Sequence, residues 1–313
     1  MRNARSLNSR TLGWMVLYMS TFVCGACSQV EHDHGGFIGS WAHRDVEGSA
    51  NNVIVFDFTD STCIYSASMS PPNQYVVLGD TLAIRKGRVR TNTLSPSTVD
   101  ARDEWIAFNV RGITDDSLVL MPREDAGDRQ RGVISSQLEY PIRLSRLSQI
   151  SEIRPMHLQM VSTSCLGSCP ELFVQVSPNG EVAYEGINFV AQEGWYRGNI
   201  KSKDLEYLWE RAAQVDWNAL LPAYAVQSTD YPSYSIRRIL GADTVSTVLY
   251  GLDAAPPPLQ ILVGHLLNVR LVARLDPYTS PPQSAMQTAH ELGSAYGMPP
   301  SAYNRIVRPP PPE

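Results

Sequence analysis

The sequence predicts two folded parts. The first is a small all-β antiparallel barrel or sandwich over 37–148. The second is an α+β domain over 153–276, an antiparallel sheet with two helices on one face. Three observations predict this. Short runs rich in β-branched and aromatic residues recur between Phe37 and Leu147, with turn residues between them. Beyond Ile153 the order becomes strands, helix, strands, helix. The chain has 313 residues, 43% hydrophobic and 18% charged, which is a globular composition and more than one ordinary domain.

The N-terminus comes first. Thr11–Ala26, TLGWMVLYMSTFVCGA, has no charge, follows Arg2, Arg5 and Arg10, and ends on small Gly25 and Ala26 before Cys27. A basic stretch, an apolar stretch and small residues before a cut make a secretion signal, too short to span a membrane comfortably. It resembles a bacterial lipoprotein signal peptide, with Cys24 where that family usually has leucine. The resemblance implies a signal peptide over 1–26, lipid on Cys27 and a polar tether over 27–36; release after cleavage and an uncleaved anchor are the alternatives. Ser28 after Cys27 resembles the sorting context of outer-membrane lipoproteins. The expected location is therefore the cell envelope, with the protein lipid-anchored to the outer membrane and facing the periplasm or the surface. In the tether, His32 and His34 invite a metal reading, which their place on a short polar linker makes the weaker one.

Without the three signal arginines the chain has 23 basic and 31 acidic residues, a net charge of −8. Such a surface has no electrostatic case for nucleic acid. The most apolar later stretch, Pro258–Leu275, contains Gln260, His265, Asn268, Arg270 and Arg274, which fits a two-sided soluble helix better than a membrane span.

Strands are expected at VIVFDF (53–58), TCIYSA (62–67), QYVVL (74–78), TLAIR (81–85), EWIAFNV (104–110), SLVLM (117–121) and EYPIRL (139–144), with turns at Gly79-Asp80 and Asp115-Asp116. Ile38-Gly39-Ser40-Trp41 forms a G-x-W just before the first of them. Together with the strand count and the Gly79-Asp80-Thr81-Leu82 turn, it resembles the small lipocalin-like domains of bacterial lipoproteins. That resemblance implies a cup for a small apolar ligand with Trp41 closing its base. In a barrel this small there is little interior beyond the barrel's own side chains, so Trp41 reads more readily as a core plug than as a ligand contact. Cys63, in an alternating apolar run, reads as a buried, inert thiol.

In the second part, MHLQMVS (156–162) and ELFVQVS (171–177) read as strands, and Pro178-Asn179-Gly180 turns the chain into EVAYE (181–185). Asn-Gly suggests a two-residue hairpin turn with both residues at positive φ. Ser202 is placed to cap a helix whose Leu205, Leu208, Trp209 and Ala212 share a face. Tyr234–Tyr250 reads as a second hairpin turning at Gly241-Ala242-Asp243, and Pro256–Pro258 introduce a helix with Leu259, Leu262, Val263, Leu266 and Val269 in a stripe. Nine prolines in the last 38 residues predict a Pro-rich, disordered tail over 277–313, with room for a short helix around Ala285–Leu292.

Between the first two strands, Cys165 and Cys169 are close enough in sequence to form a disulfide in an oxidising envelope. A redox pair and a metal site with His157 are the other readings. Dithiol enzymes use C-x-x-C at a helix N-terminus, whereas here three residues lie between expected strands. T-x-C-x-G-x-C-P (Thr163, Cys165, Gly167, Cys169, Pro170), then Phe173 and V-x-Y-x-G (Val182, Tyr184, Gly186), resembles a bacterial envelope domain family of unknown function over about 153–276. The resemblance implies a fold and a compartment but no catalytic residues, no metal and no cofactor.

No nucleophile elbow, phosphate loop or H-E-x-x-H is present. The loop with Tyr224, Asp230, Tyr231, Pro232 and Tyr234 is either a contact surface or ordinary loop anchoring. The expected function is a membrane-anchored envelope lipoprotein that binds or scaffolds, with the membrane, an envelope protein or a small apolar ligand as partner. The alternatives are a periplasmic thiol-disulfide oxidoreductase using Cys165 and Cys169, or an enzyme with a site between the domains.

Overall fold

A computed structural model describes residues 36–43, 54–65, 72–85, 105–123, 141–226, 230–278 and 281–294. The signal segment, Cys27, His32, His34 and the terminal prolines fall outside the described residues.

Strands β1 (Gly39–His43), β2 (Val55–Phe58), β3 (Thr62–Tyr65), β4 (Asn73–Leu78), β5 (Thr81–Arg85), β6 (Trp105–Ile113), β7 (Ser117–Pro122) and β8 (Ile142–Arg146) pair antiparallel in sequence order and close into a barrel where β1 meets β8. Gly39-Ser40-Trp41 lies inside β1 and not ahead of it: Trp41 pairs with Phe56 on one side and Arg146 on the other, so the motif is part of the closing seam. Strand alternation turns Trp41, Phe56, Phe58, Cys63, Tyr75, Leu82, Phe108 and Leu118 inward. Phe58 meets Tyr75 edge-on at 5.0 Å and Phe56 meets Phe108 edge-on at 6.2 Å, so rings fill the lumen.

The second layer is an eight-stranded sheet of β9 (His157–Ser162), β10 (Glu171–Val176), β11 (Glu181–Asn188), β12 (Gly194–Ile200), β13 (Ala223–Ala225), β14 (Ser233–Leu240), β15 (Asp243–Tyr250) and β16 (Ala273–Pro277), in the order β13-β15-β14-β9-β10-β11-β12-β16. It is mixed and not purely antiparallel, because the short edge strand β13 joins β15 in parallel. The turn before β11 also differs from the two-residue expectation. Ser177 accepts from Gly180 N at 2.9 Å, the Ser177 amide donates to Glu181 O at 2.9 Å, and Gly180 has φ 87°. This is a three-residue loop in which only the glycine takes the left-handed conformation.

Helices α1 (Ser202–Ala213) and α2 (Pro257–Leu267) cover one face of the sheet, as the periodicity predicts. Lys201 occupies the N-cap of α1 without a side-chain hydrogen bond, so Ser202 begins the helix and does not cap it. A third helix, α3 (Gln283–Ser294), forms within the Pro-rich segment. It lies on the opposite sheet face, where Ala285 and Leu292 pack on Val161 and Phe173. Helix α2 is apolar nearly all round. Leu259, Leu262, Val263 and Leu266 face the sheet, while Ile261 packs with Ala42 and Val55 of the barrel. A helix buried on both sides must lie between two layers, and α2 fills that position between barrel and sheet.

Candidate functional site

In β2, Phe56 and Phe58 point into the barrel, so Val55 and Asp57 point outward towards α1 and α2. Asp57 is 1% exposed. Its carboxylate accepts hydrogen bonds from Ser40 Oγ at 2.7 Å and Arg211 Nε at 2.8 Å, and lies 2.6 Å from His265 Nε2. Tyr207 donates its single proton to Phe58 O at 2.9 Å, and the Arg211 guanidinium stacks on the Tyr207 ring at 3.8 Å. Burial alone would raise the Asp57 carboxyl. The Arg211 charge and the hydrogen bonds from His265 and Ser40 outweigh that and hold it at about 2. Burial and the nearby Asp57 charge push the Tyr207 phenol far up.

A His–Asp pair beside a tyrosine invites a catalytic reading, but the chemistry here is that of a clasp. Asp57 is enclosed and saturated by its donors, so it has no face for a substrate. The one cysteine nearby, Cys63, is fully buried on the barrel side, where desolvation pushes its thiol up. Asp57 and Ser40 come from the barrel; Tyr207, Arg211 and His265 come from α1 and α2. The cluster therefore joins the two layers.

Two open clefts lie on the other face of the sheet, on either side of α3. One cleft, of about 590 Å³, is polar and is flanked by Arg197, Arg274, Asp276 and Tyr278; the Arg197 guanidinium lies 5.3 Å from the Tyr278 ring. The other is a groove of about 360 Å³ with walls of Phe173, Ile187, Trp195 and Met286, into which Glu171 and Glu185 also face. Phe173 and Trp195 are 5.8 Å apart at a tilt of 54°. Desolvation raises the Glu185 carboxyl, and a hydrogen bond from Trp195 offsets part of that rise. Among the described residues neither Glu171 nor Glu185 has a salt-bridge partner.

The residues singled out in the sequence are dispersed. Trp41 is fully buried in the barrel; its indole N–H donates to Phe37 O at 2.8 Å and the Arg146 guanidinium stacks on its ring at 4.2 Å. Cys165 and Cys169 are paired in a disulfide, with Cα atoms 5.6 Å apart, in the loop between β9 and β10. Leu166 at the tip of that loop is 85% exposed. His157 opens β9 at its far end, about 20 Å away at strand rise, so it does not meet the cysteines. Among the described residues no group of three or more His, Cys, Asp or Glu is placed to hold a metal. Tyr234 is core and the Tyr224 hydroxyl accepts from Leu221 N, so of the tyrosine loop mainly Tyr231 reaches solvent.

The sequence reading missed both the clasp and the groove. Asp57 was legible only as one acid inside the apolar run VIVFDF, and Glu171, Glu185 and Trp195 come from three strands whose adjacency no local pattern encodes.

Residues 156–270 match a family described as a domain of unknown function (DUF6438). The match takes in β9 to β15, α1 and α2, and leaves the barrel, β16 and α3 outside it. No curated protein and no solved structure matches the chain. The chain therefore contains a domain of that unknown-function family, built onto a closed barrel.

Proposed function

We propose that this protein is an envelope lipoprotein, tethered through lipid on Cys27, whose barrel and sheet form a non-catalytic binding head. The observation that carries the binding role is the contrast between its two polar sites. The Asp57 cluster is buried and saturated, whereas the clefts beside α3 are open, and Glu171 and Glu185 in one of them have no salt-bridge partner among the described residues. The charge-free Thr11–Ala26 segment ending at Cys27 supports the anchor, and no described helix is long and apolar enough to cross a membrane. A closed eight-stranded barrel with Trp41 under Arg146 supports the lipocalin-like resemblance of the first part. Thiol exchange finds less support. The Cys165–Cys169 loop joins two strands, so it lacks the helix N-terminus that lowers a redox thiol's pKa.

Membrane partition tests the anchor. Cys27→Ala moves the protein to the soluble fraction or stalls its maturation, as read by fractionation and intact mass. Unchanged membrane association with an unmodified Cys27 in the parent chain overturns the proposal.

A further inference from the structure

We propose that the groove between α3 and strands β9–β12 binds a primary ammonium group on an apolar stem, either a free alkylamine or a lysine side chain. The inference rests on the binding-head reading above and gives that head a ligand class.

The groove combines three features that a solvated surface does not need. Its walls are aromatic and aliphatic: Phe173 is fully buried, Trp195 packs against it, and Ile187 and Met286 remain 48% and 49% exposed across the opening. An apolar stem lying between Ile187 and Met286 would cover surface that the chain leaves wet. Facing that gap, Glu171 and Glu185 carry carboxylates with no cationic partner among the described residues. Glu185 sits opposite Trp195 in the β11–β12 register, where desolvation raises its carboxyl and the Trp195 indole offsets part of that rise. Trp195 lines the same groove as the two carboxylates, so one cation can meet a carboxylate and an aromatic ring together. At about 360 Å³ the groove suits a side-chain-sized group, and the acidic net charge of the whole chain draws cations towards it.

The test titrates the full-length chain in detergent, following the ¹H–¹⁵N signal of the Trp195 indole, identified by its loss in Trp195→Phe. Three probes separate the contributions: n-hexylammonium has charge and stem, methylammonium charge alone, and n-hexanol stem alone. N-acetyl-lysine methylamide, run beside them, distinguishes a protein's lysine from a free amine. The proposal expects saturable shifts with n-hexylammonium or the lysine amide, at least tenfold weaker binding of methylammonium and n-hexanol, and about tenfold loss in Glu185→Gln, an isosteric change that keeps the fold. Leu166→Ser, outside the groove, leaves binding unchanged. Equal response to n-hexanol, no saturable response to either amine, or undiminished binding in Glu185→Gln overturns it. Because the anchor is read separately by membrane partition of Cys27→Ala, the two proposals fail independently.

Discussion

Asp57 is one acid in a strand of apolar residues, and its position makes it consequential. Its burial is offset by Arg211, His265 and Ser40. Removing the carboxylate would leave the Arg211 guanidinium buried, with Glu210 at 3.6 Å as its one remaining acidic partner among the described residues. Asp57→Ala should therefore destabilise the protein by roughly 3–5 kcal/mol in urea unfolding, and a loss under 1 kcal/mol would show that the clasp is not closed in solution. The same pair makes a pH prediction. The folded carboxyl at about 2 lies below its ordinary 3.8, so its contribution is fully present above pH 4 and is lost as pH falls through 2. The loss is about 2 kcal/mol, and Asp57→Asn should flatten that part of the stability–pH curve. At the β9–β10 loop, replacing Cys165 and Cys169 together by serine should cost about 2 kcal/mol, since the bond closes only a short loop in the unfolded chain.

Among the elements, α2 has two jobs at once. Its sheet-facing stripe was readable as Leu259, Leu262, Val263 and Leu266. Its other side carries Ile261, Gly264 and His265, which meet the barrel. At Gly264 an added Cβ would sit 3.4 Å from Ile64, an ordinary contact. Gly264→Ala should therefore be neutral or stabilising, because alanine gains helix propensity of about 1 kcal/mol. Gly264→Leu has no such room and should cost about 1–3 kcal/mol. If both variants melt alike, barrel and helix are not in contact. Of the 258–275 stretch, read as a two-sided helix, only the part up to Leu267 is helical, with Arg270 in a following 3-10 turn and Arg274 in β16; within the helix one apolar side meets the sheet, and the other meets the barrel around the polar clasp.

At the scale of the whole molecule, the described residues between 36 and 294 fall in one compact unit. Barrel and sheet share α2 and the Asp57 cluster, so unfolding should be a single cooperative transition, with barrel and sheet amides exchanging at the same global free energy. In Asp57→Ala the barrel amides should exchange earlier than those of β9–β11. Two separate transitions already present in the parent chain would contradict shared cooperativity.

Local patterns determined a great deal. Alternation over TLAIR and SLVLM placed β5 and β7, the 3.6-residue stripe placed both sheet-facing helices, and the cysteine spacing indicated a clipped loop, because these are properties of neighbours in sequence. The edge strands β13 and β16, and β12 beside β16, carry weak alternation, since each is half-exposed or very short, and they became strands only through their partners. The tail helix α3 took its place through Ala285 and Leu292 on Phe173. The clasp and the groove were decided by tertiary structure alone. Asp57 meets His265 across 208 positions, and Glu171, Glu185, Trp195 and Met286 converge from four elements. Sequence periodicity reports which side of a strand or helix is apolar; it carries no information about which distant side chain will stand opposite, and that is where the polar chemistry of this protein lies.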